Sequence, residues 1–215
     1  MRAAFLALAF AGLASVWLGP LPSLAQHSFA AHMTMHMAIV AVIAPLIALA
    51  VSGTAGDPVR TMPRLFAPIP ASLIELVIVW AWHVPALHHA ARHQSWALLA
   101  EQGSFITAGV LLWIAAIGGT HEQRRLRAGA GVLALLFTSM HMTLLGALFA
   151  LANRPLFQHA PESASALSPL ADQHLGGAIM LLVGGASYLT GGLWLTSVML
   201  RPQVAPSRDW RESFR

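Results

Sequence analysis

His32 and His36 sit in the stretch "HMTMHM", four residues apart at the head of an apolar run. On a helix that spacing puts both imidazoles on one face. Met33 is offset from His32 by roughly 100° and Met35 by roughly 60° the other way, so one wall can present two imidazoles and a thioether. The theme returns at Met140, His141 and Met142, where "SMHM" lies inside another apolar run. "WAWHVP" brings His83 to the end of a third run, and "ADQHLGG" places Asp172 and His174 at the start of a fourth. Imidazole with thioether suits copper, Cu(I) above all. Zinc would accept His and Asp but gains nothing from methionine. The chain has no cysteine, which excludes disulfides and thiolate metal sites. The candidate metal set is therefore His32, His36, His83, His141, His174, Met33, Met140 and Asp172. Paired histidines on different helices also fit bis-His haem ligation, with His36 and His141 or His83 and His141 as the pair. The plainer roles are interfacial hydrogen bonding for a histidine at a helix end and packing for a methionine. They fit His36 and His141 least, because ionisable groups within a span are costly and face partners in the bundle.

The elements that must position these groups follow from composition. Of 215 residues, 57% are hydrophobic and only 9% charged, against about 25% charged in soluble domains. Six apolar stretches occur: Ala3 to Leu18, His32 to Val51, Ile69 to Leu87, Trp96 to Gly118, Ala128 to Ala152, and His174 to Leu200. A bilayer core needs about 20 helical residues, and the last five stretches qualify. The expected fold is an all-α polytopic transmembrane helix bundle of six spans, or five if the first is a cleaved signal peptide. Residues 1–25 are that first span or signal peptide, 26–200 the bundle, and 201–215 an Arg-rich cytoplasmic tail. "GTAGDP", "HVPALHHAARHQ", "GGTHEQRRLR" and "NRPLFQHAPESASALSP" read as turn-rich breaks.

All twelve basic residues are arginine. With the N-terminus inside, Arg2, Arg60, Arg64, Arg124, Arg125, Arg127, Arg201, Arg208, Arg211 and Arg215 fall on the inner side, and only Arg92 and Arg154 fall outside. That is a strong positive-inside signal. On the same map ten of the eleven histidines fall on the outer half, and only His121 lies inside. His88, His89, His93 and His159 read as solvated loop residues. Glu75 lies in the inner half of the third stretch, as a buried carboxylate or one reaching the interface. Glu101 and Gln102 are candidate acceptors supporting the histidines. The last stretch repeats Gly176/Gly177, Gly184/Gly185 and Gly191/Gly192 at steps of eight and seven. This makes a close-packing seam, within the chain or against a partner such as a second copy. No phosphate-cradling loop, nucleophile elbow or Ser/His/Asp set is present, so no enzyme activity is expected. Arginines and aromatics do not interleave, so no nucleic-acid partner is expected either. A copper or proton translocator using Glu75 is a further reading of the same residues.

"SFAAHMTMHMAIVAVIAPLIAL", "WAWHVPALHHAA", "LGALFALANRPLF" and "LSPLADQHLGGAIMLLVGGASYL" together resemble the CtaG family of caa-type cytochrome c oxidase assembly proteins. The resemblance implies a multi-pass protein of the bacterial inner (plasma) membrane, needed to make active haem-copper oxidase and handling copper for its subunits. The family pattern falls on His32, His36, His83, Asp172, Gln173, Gly176 and Gly177. One departure stands out. The family carries a His-x-x-x-Glu-His-like element entering the fourth span, whereas "LLAEQGSF" keeps Glu101 but holds no histidine, with Gln102 where the second would fall. If the family site uses that pair, this chain binds differently or less tightly.

Overall fold

The computed structural model describes residues 1–157 and 167–201, and these form helices and turns with no strand. His159 and the tail arginines Arg208, Arg211 and Arg215 lie outside the described residues. Helix α1 (Arg2–Leu18) is followed by the short α2 (Leu21–Ala25). Helix α3 (Phe29–Met37) passes through a π-helical turn, Ala38–Ile43, into α4 (Ala44–Val51). Then come α5 (Pro68–Trp82), α6 (Pro85–His93), α7 (Ser95–Ile117) and α8 (His121–Ala150). Helix α9 (Pro169–Ile179) runs through a second π turn, Met180–Gly184, into α10 (Gly185–Leu200). Proline occupies the first turn of α5, α6 and α9, where its missing N–H has no helical partner to lose.

Among the described residues, four helices are long and apolar enough to cross a membrane: Phe29–Val51, Ser95–Ile117, His121–Ala150 and Pro169–Leu200. The pair α5 and α6 makes a fifth if its 73° bend is counted as one broken span. The expected six spans are thus reached only by counting α1, which is 17 residues long, about 25 Å at 1.5 Å per residue. Helix α1 nonetheless belongs to the packing. Arg2 donates to the Ser52 carbonyl beyond α4, and the Trp17 indole donates to Gln102 of α7 at the far end. It therefore runs antiparallel to α3 and α4, with Ala9 and Val16 buried.

The third apolar stretch, Ile69 to Leu87, bends within the expected break "HVPALHHAARHQ", and the residues read there as a loop form helix α6. Pro85 forces its predecessor out of helical geometry, and Val84 is accordingly extended at φ −68°, ψ 132°. Residues Pro85–His93 then re-form a helix that folds back over the end of the bundle.

The first π turn also has a chemical cause. Pro45 has no N–H to give the Ala41 carbonyl, and its ring crowds that carbonyl. The Ser187 hydroxyl from α10 donates to Ala41 O instead, at 2.6 Å, and the Trp113 indole donates to Val40 O at 3.0 Å. Freed carbonyls within a membrane helix are tolerated where neighbouring side chains satisfy them in this way.

The two ends of the bundle differ in chemistry. At one, Asp57 accepts from Gly53 N (2.7 Å), Val59 N (3.0 Å) and Gly119 N (2.6 Å). Gly53 and Gly119 hold φ of +72° and +93°, a region costly for residues with a Cβ. Arg124 ties to the Ile117 and Gly119 carbonyls, and Arg127 to Phe66 O. His32, His36, His83 and His88 gather at the opposite end. The glycine seam is used largely inside the chain. Gly176 lies against Phe29, Gly177 against Ala150, Gly184 against Met37 and Gly191 against Trp113, while a side chain at Gly185 or Gly192 would meet open space.

Candidate metal centre

The site begins with the cap of α3. Ser28 accepts from Ala31 N and donates to Asp172 Oδ1 at 2.7 Å. The Asp172 carboxylate also accepts from Phe29 N at 2.6 Å and Ala30 N at 3.3 Å. A carboxylate at a helix N-terminus meets both orphan N–H groups and the positive end of the dipole. Asp172, reaching across from α9, thus fixes where α3 starts. His32 follows in the first turn, and His36 one turn later on the same face.

His83 closes α5, and its Nδ1 lies 2.6 Å from Val79 O. A carbonyl can only accept, so Nδ1 carries the proton and Nε2 keeps its lone pair. This backbone bond is the usual way a ligating imidazole is oriented. Among the described residues, His83 Nε2 has no hydrogen-bond partner, nor has either ring nitrogen of His32, His36 or His141. Ring centroids stand 5.7 Å apart for His32 and His83, 5.4 Å for His36 and His83, and 4.8 Å for His32 and His88. His141, in α8, lies within electrostatic range of His36.

Glu101, in α7, completes the cluster. One ligand atom each from His32, His88 and Glu101 lies within 4.8 Å of the others. His32 Nδ1 is 3.8 Å from Glu101 Oε2. That same oxygen pairs with the Arg92 guanidinium and accepts from Gln102 Nε2 at 3.1 Å. Arg92 also donates to Ala25 O at 3.4 Å, tying α6 to α2. Four phenylalanines wall the chamber. Phe105 lies 4.1 Å from His36, Phe157 4.3 Å from His88, Phe149 5.6 Å from His83 and Phe29 5.7 Å from His88, centroid to centroid. They exclude water and lower the local dielectric, which strengthens charge interactions inside.

Of the residues singled out from sequence, His32, His36 and His83 converge here, with His141 within electrostatic range of His36. The others stand elsewhere. Met140 is 63% exposed, beside Ile69, Leu73, Leu133, Leu136 and Phe137 on the outer surface. Met33 is buried against Gly176 of α9. His174 gives its Nε2 to Ala152 O at 2.9 Å, and Asp172 is occupied as the α3 cap. Gln173 is similarly structural, accepting from Leu156 N and donating to Phe149 O. His88 and Arg92 were unforeseen. They are buried, not solvated, and with Ala91 form the inward face of α6. Positions i, i+3 and i+4 carried that signal, within a stretch too polar to read as a membrane helix.

Below the chamber, Glu75 is fully buried and accepts from Thr138 Oγ1 and Tyr188 Oη, each at 3.1 Å. It joins α5, α8 and α10 in the bundle core.

Apolar helices with buried imidazoles and carboxylates between them, capped by a folded-back helix, define a polytopic all-α membrane protein. Residues 1–202 match the model of the cytochrome c oxidase caa3 assembly factor family (Caa3_CtaG), and the chain belongs to that family. It is thus an assembly factor for cytochrome c oxidase. No curated protein and no solved structure matches it.

Proposed function

We propose that this assembly factor carries copper for the oxidase and holds one ion in transit in the chamber of His32, His36, His83 and His88, with Glu101 at its edge. The supporting observation is the set of buried imidazole nitrogens without hydrogen-bond partners on His32, His36 and His83. Each unsatisfied buried group costs about 1–3 kcal/mol, and a fold that keeps several together has a use for their lone pairs. Imidazole is a good copper ligand, and the family works on a haem-copper enzyme. Copper is cargo here, so the site needs moderate affinity and a way to let go. With Met140 on the outer surface and Met33 packed against α9, the coordination is chiefly nitrogen. The imidazole rings stand edge to face, 4.8–5.7 Å between centroids, with phenylalanines against them, a spacing that suits one shared ion better than a porphyrin between two rings.

The arginine end faces the cytoplasm in this reading, as the positive-inside rule requires. The chamber then lies at the outer-face end of the bundle in a bacterial plasma membrane, where copper would pass to an oxidase subunit. Purified protein loaded anaerobically with Cu(I) binds about one ion per chain, and a His32→Ala/His36→Ala/His83→Ala variant with unchanged tryptophan-fluorescence melting binds none. Equal copper in the two would overturn the reading, and a Soret band in the purified protein would replace it with haem binding. Oxidase activity in a deletion strain complemented by the same variant tests the link to assembly.

A further inference from the structure

We infer that Arg92 is a built-in competitor for the metal's carboxylate, so that the guanidinium and the bound ion exchange places on Glu101. The inference rests on the copper-carrier reading. Glu101 is 0% exposed and Arg92 6%, so neither charge is screened by water. Three groups crowd one oxygen: Oε2 pairs with Arg92, accepts from Gln102, and lies 3.8 Å from His32 Nδ1. Oε1 of the same carboxylate has no hydrogen-bond partner among the described residues. An ion held by His32, His88 and Glu101 would therefore stand beside a guanidinium. Two cations at such separation in low dielectric repel strongly, and one of them must yield the carboxylate.

Helix α6 makes that exchange mechanical. It carries His88 and Arg92 one turn apart on its buried face, and so brings ligand and competitor to the site together. It hangs from the break at Val84 and Pro85 and is held at its far end by the bond from Arg92 to Ala25 O. Metal arriving on Glu101 expels the guanidinium, loosens this tie and frees α6. The returning guanidinium expels the metal. Affinity is kept low enough for hand-over without any change in the imidazoles.

Two variants and one distance test this. Arg92→Gln keeps a polar side chain and removes the charge; its Cu(I) affinity, measured by chelator competition, rises about tenfold or more over wild type. Arg92→Lys, which keeps the charge, stays within about threefold of wild type. In the Glu101→Gln background, Arg92→Gln produces no gain, because the contested carboxylate is gone. The chain has no native cysteine, so nitroxides at Ser23→Cys and at His93→Cys, exposed at the far end of α6, report the α2–α6 distance, which lengthens when Cu(I) binds. Wild type that binds copper while Arg92→Gln binds it equally or more weakly overturns the competitor and leaves the carrier intact. A distance unchanged by bound copper overturns the release of α6. Wild type that binds no copper overturns the carrier reading itself.

Discussion

Asp172→Asn separates a capping residue from a metal ligand. The carboxylate, 4% exposed, accepts from Ser28 Oγ, Phe29 N and Ala30 N. Asparagine keeps one acceptor oxygen, but its NH2 then faces backbone N–H groups that can only donate. The variant loses at least one charge-assisted hydrogen bond, about 1.5–3 kcal/mol. It also loses the attraction of a negative charge for the α3 N-terminus, about 0.3–1 kcal/mol and up to about 2 when partly buried. The sum is about 2–5 kcal/mol. At about 2–4 °C per kcal/mol for a chain of this size, a central loss of about 3 kcal/mol lowers Tm by about 6–12 °C. The seven tryptophans make intrinsic fluorescence a suitable monitor in detergent. Hydrogen exchange localises the effect, since the Phe29 and Ala30 amides lose protection while the α7 core keeps its own. Copper affinity falls only as far as His32 loses its position. An unchanged Tm with unchanged protection at residues 29 and 30 would refute the capping assignment. Full protection at those amides together with loss of all copper would make Asp172 a ligand after all.

Met140→Ala leaves copper affinity within about twofold of wild type while His36→Ala lowers it by more than about tenfold, roughly 1.4 kcal/mol, both read by chelator competition. Asp57→Ala lowers the fluorescence melting point at least as much as Asp172→Asn, because it strands the N–H groups of Gly53, Val59 and Gly119. Glu75→Gln holds the melting point within a few degrees, since an amide oxygen still accepts from Thr138 or Tyr188, whereas Glu75→Ala leaves both hydroxyls without their acceptor and destabilises by about 1–3 kcal/mol each. Intact mass of the protein from its native membrane includes residues 1–25, as expected of a helix whose Arg2 and Trp17 hold opposite ends of the bundle.

The helices were legible because long apolar runs report spans directly, and the grouping of His32, His36 and His83 followed from helical spacing and the arginine map. What escaped had identifiable physical causes. Helix α6 is short and rich in His and Arg, so a reading keyed to apolarity made it a loop and left His88 and Arg92 in solvent. Its helical period was present, but burial of so polar a segment depends on Phe29, Phe157 and Glu101, contributed by other parts of the chain. Met140 and His141 are adjacent, and adjacent helical positions point about 100° apart; composition could not say which faced inward. Asp172 read as part of a metal wall because a carboxylate near histidines suggests a ligand. Its use as the cap of a helix about 140 residues earlier in sequence is tertiary information. The break at His83 was written locally in Val-Pro and was legible; the helix that re-forms beyond it was not.

X-ray absorption at the copper edge of the anaerobically loaded protein tests the central claim most directly. The chamber predicts one copper per chain, a first shell of nitrogen or oxygen at about 2 Å, the outer-shell scattering of several imidazoles, and loss of that scattering in the triple His variant. A spectrum dominated by sulfur, or copper retained unchanged when His32, His36 and His83 are all replaced, would contradict it.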